Sequence, residues 1–318
     1  MLDSGRLALR DRPTPVAGPG EALIRVAMAG VCNTDLEIAR GYMGFSGVLG
    51  HELCGVIESC PDVRFIGRRV AGEINLSCGA CELCARGLAR HCPKRTVMGI
   101  AGKDGCFAEY VTLPMANLHL LPDELSDERA CFVEPTAAAF EVLEQVMVLG
   151  RDRVAVLGDG KLGLLIAQVL ESTGCALTLV GHHASKLELA RNAGIETADI
   201  ASLARKSFDV VVEATGSPSG LRAAVELVRP RGTVVLKSTY HGKVEFDAAP
   251  LVIDEITVVG SRCGPFERAI PALASGLVRP DALIEAVIPL ANAASAFERA
   301  AQPGALKVLL DMRAESVG

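Results

Sequence analysis

The chain has 318 residues, 32 Lys and Arg against 38 Asp and Glu, a formal net charge of −6, and no Trp. That length supports two domains with separate cores, and mild acidity without a basic run excludes nucleic acid and anionic membrane as main partners. The start, MLDSGRLALRDRP, has no apolar core, and no uncharged apolar run of about 18 residues occurs after it, so neither a signal peptide nor a spanning helix is expected and the protein is expected in the cytoplasm.

In chain order, Pro13–Pro15 and Gly18–Gly20 are turn material, and Ala22 to Met28 suits a buried strand. The next stretch is Gly30 to Glu58, GVCNTDLEIARGYMGFSGVLGHELCGVIE, around which the rest is organised. Cys32 and His51 are the ligand types that Zn²⁺ prefers, and the 18 residues between them suit two loops converging on one ion. GVCNTD and GHELCGVIE resemble the motifs around the catalytic zinc of the medium-chain zinc-dependent alcohol dehydrogenases, most closely the polyol and threonine dehydrogenase branch. The resemblance implies Cys32 and His51 as zinc ligands and Thr34 as relay for the alcohol proton. It further implies that Asp35 orients the ligand histidine and that Glu52 sits beside the metal.

Leu53 to Ser59 and Gly67 to Val70 suit strands of a partly open barrel. Next come Cys78, Cys81, Cys84 and, after seven more residues, Cys92. Four thiols this close can hold one tetrahedral zinc without a long-range fold. The rival is an iron–sulfur cluster, whose bacterial pattern also ends in Cys-Pro but places three residues before the last cysteine. The seven-residue spacing matches the structural-zinc lobe of the family, which takes no direct part in the chemistry. The remaining cysteines, Cys54, Cys60, Cys106, Cys131, Cys175 and Cys263, are expected as small buried hydrophobes.

Gly105 to Val111 resembles a family strand, with a turn at Pro122 after it, and Thr136 to Val148 has helical spacing. In the polyol branch the Glu of the preceding Glu-Pro step lies at the catalytic zinc, so Glu134 and Glu52 compete as third ligand. Arg153 to Gly163 carries a GxGxxG turn with a strand before it and an apolar helix after it. That is the dinucleotide context, and it implies Gly158, Gly160, Lys161, Leu162 and Gly163 in cofactor binding. An NAD enzyme would place a carboxylate just after the next strand, Ala176 to Val180. Here stand Gly181, His182 and His183, with Lys186 close behind. Without a carboxylate to repel a 2′-phosphate, NADP is expected over NAD, with His182, His183 and Lys186 nearby as donors.

Further strands at Phe208–Glu213, Gly232–Leu236 and Ile256–Gly260, with helical segments between, suit a doubly wound parallel sheet. The expected fold is α/β, a Rossmann sheet inserted into a partly open, GroES-like β-barrel. The expected domains are 1–134, catalytic, with a structural-zinc lobe at about 77–95; 135–264, dinucleotide-binding; and 265–318, returning to the first. The implied activity is hydride transfer between a secondary alcohol (polyol, sugar or amino-acid alcohol) and NAD(P), with two zincs per chain, in a homo-oligomer of two or four copies. The alternatives are a zinc-free enone or quinone reductase, against which both zinc motifs stand, and a non-catalytic redox sensor, which would leave Thr34 without purpose.

Overall fold

A computed structural model describes residues 1–3, 5–239 and 245–313. Two compact units emerge, Met1–Glu134 with Ala269–Ala274 and Leu283–Gly318, and Pro135–Arg268 with Ser275–Ala282.

The first unit is built on a seven-stranded sheet. Its long strand, Glu21–Gly30, pairs antiparallel with Glu52–Ser59, with Tyr110–Pro114 and with Lys307–Asp311. The alternation of β-branched and aliphatic residues in Glu21–Gly30 buries Ile24, Val26 and Met28 completely. Strand register gathers the chemistry at one place. Gly30 lies opposite Glu52 and opposite Leu309, so Cys32, His51 and Lys307 all leave their strands at one end of the sheet. A smaller sheet of Asn75–Leu76, Thr96–Met98 and Gly102–Lys103 carries the loop with the four clustered cysteines.

The second unit is a six-stranded, wholly parallel sheet. Its order is Glu196–Ala198, Ala176–Val180, Arg153–Leu157, Phe208–Glu213, Val228–Leu236, Thr257–Gly260. In sequence terms this is 3-2-1-4-5-6, the doubly wound arrangement, and ligands bind at the carboxyl ends where the order reverses. Arg153–Leu157 is buried from Val154 onward because helices cover both faces, which is why it reads as a continuous apolar run. Ala155, Leu157, Val211, Val234 and Ala224 belong to the core on one side of it.

Three local expectations need correction. The helix expected from Thr136 starts at Val133 and ends at Gln145, because Pro135 lies in its first turn, where a missing N–H costs nothing. The strand expected over Gly105–Val111 is Tyr110–Pro114, the residues before it forming bends. Of the six scattered cysteines only Cys54, Cys106 and Cys131 are buried, whereas Cys60, Cys175 and Cys263 are half-buried.

Candidate active site

Cys32 ends the turn after Glu21–Gly30 and caps the helix Asn33–Ala39. His51 immediately precedes Glu52–Ser59. Asp35, fully buried, ties the two segments together: Oδ2 accepts from the Cys32 backbone N–H at 2.8 Å and Oδ1 from the Gly50 N–H at 3.2 Å. Each donor adjoins or belongs to a candidate ligand, so one carboxylate sets the separation of thiol and imidazole. The ligating atoms of Cys32, His51 and Glu52 lie within 4.8 Å of one another. Glu134, half-buried at the start of its helix, does not complete that cluster. The Thr34 hydroxyl stands 3.7 Å from the Cys32 sulfur.

The electrostatics of this cluster favour a cation. Asp35 Oδ1 lies 3.2 Å from the buried Nδ1 of His51. Burial alone would lower the pKa of His51, yet Asp35 and then Cys32 hold it well above its ordinary value. A proton or a metal ion would satisfy the same field, and a metal would displace the proton. Thiol, imidazole and carboxylate are a donor set that zinc accepts.

Glu52 is not alone. Its carboxylate forms an ion pair with the Lys307 ammonium, both side chains inaccessible to water. Burial would discharge Lys307, but Glu52 foremost, with Cys32 and Glu134, keeps it charged and raises its pKa. Sequence reasoning missed Lys307. The available signal was a lysine opening an otherwise apolar strand, Lys307–Asp311, since such a charge is buried only when paired.

The four-cysteine loop brings its sulfurs together as expected. Cys81 and Cys84 are 3.5 Å apart, Cys81 and Cys92 3.7 Å, and Cys92 and Cys78 3.5 Å. A tetrahedron with zinc–sulfur bonds near 2.3 Å has edges of about 3.8 Å, so the sulfur spacing would admit a zinc ion. Backbone N–H groups of Ala80 and Cys81, with the Cys92 thiol, hold Cys78 down to about 6. Against a lowering N–H from Cys84, burial and the neighbouring thiols push Cys81 up to about 11. Four such sulfurs ionise together only around a cation.

In the second unit the glycine turn lies between Arg153–Leu157 and the helix Lys161–Glu171. A side chain at Gly163 would run into the Gly158 carbonyl, and one at Gly158 would meet the Ala214 carbonyl at 2.5 Å, so helix, turn and fourth strand pack closely there. Gly160, the helix N-cap, faces open space, which leaves room for a pyrophosphate against the first helical N–H groups. Lys161 and Leu162 form the first turn, both half-buried.

The strand-end residues are arranged differently from the expectation. Asp159, between the two glycines, reaches the end of Ala176–Val180. Its Oδ2 accepts from the backbone N–H of His182 at 2.9 Å and of His183 at 2.7 Å, and its Oδ1 lies 2.9 Å from His183 Nδ1. Burial opposes its ionisation, but these donors win and lower its pKa. The His182 and His183 rings stack with centroids 4.1 Å apart. Lys186, in the helix Ala184–Asn192, is largely buried. A carboxylate thus stands at this strand end, delivered from the glycine turn. The sequence signal was an acidic residue inside the glycine fingerprint itself.

Comparison with known proteins identifies the family. Residues 18–123 match the family model for the alcohol dehydrogenase GroES-like domain, and residues 162–277 that for zinc-binding dehydrogenases. The chain is 30% identical to the D-arabitol-phosphate dehydrogenase of Enterococcus avium over 98% of this chain and 95% of the relative. A zinc-binding dehydrogenase of Sinorhizobium meliloti 1021 bound to NADP superposes with a TM-score of 0.90 at 29% identity, covering 97% of both chains. The rspB alcohol dehydrogenase of Escherichia coli CFT073, complexed with NADH, also gives 0.90, at 27% identity over 98% of this chain and 97% of that one.

Proposed function

The chain belongs to the zinc-dependent medium-chain alcohol dehydrogenases, and from its own residues we propose that it moves a hydride reversibly between a secondary alcohol and NAD(P). The substrate class is a polyol, sugar or amino-acid alcohol, with ketone or aldehyde as product. One observation carries this reading: the strand register and the Asp35 clamp bring Cys32, His51 and Glu52 within 4.8 Å of one another.

Cys32, His51 and Glu52 would hold the catalytic zinc, and Cys78, Cys81, Cys84 and Cys92 a structural one, giving two per chain. When bound, zinc supplies Lewis acidity to a substrate hydroxyl and the nicotinamide accepts the hydride. The protein does the rest. Asp35 fixes the spacing of thiol and imidazole, and Lys307 balances Glu52 so that the buried cluster does not carry the whole negative charge of its ligands. The Thr34 hydroxyl, beside the Cys32 sulfur, takes the substrate proton and hands it on towards solvent. Glu134, which acts electrostatically on Lys307, would adjust that balance, with Glu52 as the third ligand. In the second unit the Gly158–Gly163 turn receives the pyrophosphate.

The clustering of four of the eleven cysteines in one loop supports a metal site in a reducing compartment such as the cytoplasm. Among the described residues no helix is long and apolar enough to cross a membrane. The edge strand Thr257–Gly260, with exposed Val258 and with Val252 and Ile253 exposed nearby, supports self-association as a dimer or tetramer.

Metal analysis of the purified full chain, followed by a panel of polyols, sugars and amino-acid alcohols with NAD⁺ and NADP⁺, tests the proposal. Two zincs and turnover of a secondary alcohol are expected, and Cys32→Ser should lose one zinc and the turnover together. Full activity in Cys32→Ser would overturn the mechanism.

A further inference from the structure

We propose that Asp159 is the residue that reads the adenosine ribose of the dinucleotide and that it makes the protein selective for NAD over NADP. The proposal rests on the assignment of the Gly158–Gly163 turn as a dinucleotide site and goes beyond it.

In a doubly wound sheet the ribose is recognised at the carboxyl end of the second strand, where an acidic side chain accepts from the 2′-hydroxyl or a basic one accommodates a 2′-phosphate. Here the second strand, Ala176–Val180, runs into Gly181, His182 and His183, none of them acidic. The missing carboxylate is delivered from the neighbouring turn. A Cβ built on Gly181 would collide with the Asp159 carboxylate, so that carboxylate fills the volume a strand-end side chain would occupy. Glycine at position 181 and aspartate at position 159 are therefore one device in two pieces.

The device is rigid and charged. The Asp159 side chain is 5% exposed, and two backbone N–H groups and the His183 Nδ1 fix its two oxygens. A carboxylate offers about four lone-pair sites, so one acceptor position remains for a ribose hydroxyl. A phosphate at the same point would bring two further negative charges against a carboxylate that its donors keep ionised. Of the nearby basic groups, the Nδ1 of His183 is committed to Asp159 and the Nε of Arg191 donates to Thr197.

The test is direct titration of the full-length, zinc-loaded protein with NADH and with NADPH, using nucleotide fluorescence to obtain Kd values without turnover. The wild type should bind NADH more tightly by on the order of 10- to 100-fold, the scale of close charge repulsion at a partly solvated site. Asp159→Gly should shift the Kd ratio towards NADPH by roughly tenfold or more, and adding Gly181→Asp, which returns the carboxylate to the strand end, should restore it. Asp159→Asn keeps an acceptor for the backbone N–H groups and removes the charge, so it should shift the ratio even if the glycine variant folds poorly. Tighter NADPH binding by the wild type, or a ratio unmoved in Asp159→Asn, would overturn the proposal while leaving the dehydrogenase reading intact. Loss of NADPH binding in His183→Ala without change for NADH would also overturn it, by making His183 a phosphate ligand. Failure of both nucleotides to bind the wild type would sink the dinucleotide reading and this proposal together.

Discussion

Lys307 and Glu52, 255 positions apart in the chain, form an ion pair from which water is excluded, with side chains 2% and 1% exposed. The pair joins the start of one strand to the start of another through the strand between them, Glu21–Gly30. Its worth lies less in net attraction than in what either partner would cost alone. Burying an uncompensated charge costs far more than burying a balanced pair. Lys307→Met should therefore destabilise the metal-free protein by about 3–5 kcal/mol, measured by denaturant unfolding. The double variant Lys307→Met, Glu52→Gln, which removes both charges, should recover most of that loss. A double variant no more stable than Lys307→Met would show that Lys307 acts through a contact other than Glu52, such as the Phe132 ring 5.7 Å from its ammonium.

Asp35 acts on the candidate metal site through backbone hydrogen bonds. It binds the N–H groups of Cys32 and Gly50, and Asn could accept only one of the two bonds without turning an amide NH₂ towards the other donor. Asp35→Asn should thus loosen the spacing of Cys32 and His51. Zinc affinity at that site should fall about 10- to 100-fold, with kcat falling in step. Zinc retained by the four-cysteine loop should not change. Chelator competition monitored by metal analysis separates the two sites, and a single undiminished high-affinity class in Asp35→Asn would refute the clamp.

The four-cysteine loop makes a contrasting prediction, because it is held together locally. Cys92 is buried, and the Cys78 backbone N–H points to its sulfur at 3.5 Å. Cys92→Ala leaves three sulfurs, too few to close a tetrahedral structural site. Zinc content should drop by one per chain, and proteases should gain access to residues 77–95, while the Cys32 and His51 site keeps its metal. Unchanged zinc content with unchanged protease resistance would mean the thiols cluster without an ion.

These sites differ in how far they can be read from sequence. The cysteine loop is legible because its four ligands fall within fifteen consecutive residues, and Cys32 and His51 because each sits in a short motif with its supporting residues. The parallel sheet is legible because strands covered on both faces are continuously apolar. Lys307 is legible only as a lysine opening an apolar run; its pairing with Glu52 depends on a register between strands far apart in the chain, which no local pattern encodes. Asp159 is a subtler case. Its neighbours in sequence are the glycines of the turn, and the groups it binds belong to His182 and His183, brought alongside by parallel pairing of Arg153–Leu157 with Ala176–Val180. The choice between Glu52 and Glu134 likewise turns on which carboxylate shares an end of the sheet with Cys32 and His51.

Asp127 supplies a pH test of the first unit that does not involve the metal site. Its carboxylate accepts from Arg69 at 2.6 Å and from Arg313 at 2.7 Å, with the buried Cys54 thiol 3.2 Å away. Burial would raise its pKa, but Arg69 first, then Cys54 and Arg313, lower it below the usual value. A carboxylate with a depressed folded pKa stabilises the fold fully above its unfolded value, near 3.9, and that contribution is lost as pH falls through the folded value. The acid-sensitive window from this group therefore lies below about pH 4. Asp127→Asn should be less stable than the wild type by about 2 kcal/mol near neutrality, the scale of a charge-assisted hydrogen bond. The difference should shrink as the pH is lowered through that window, because the wild type protonates Asp127 and the variant has nothing to lose. Unfolding free energies of both proteins between about pH 3 and pH 7 would show this convergence. A gap that stays constant would mean Asp127 acts through shape and neutral hydrogen bonds, and that the arginines gain nothing from its charge.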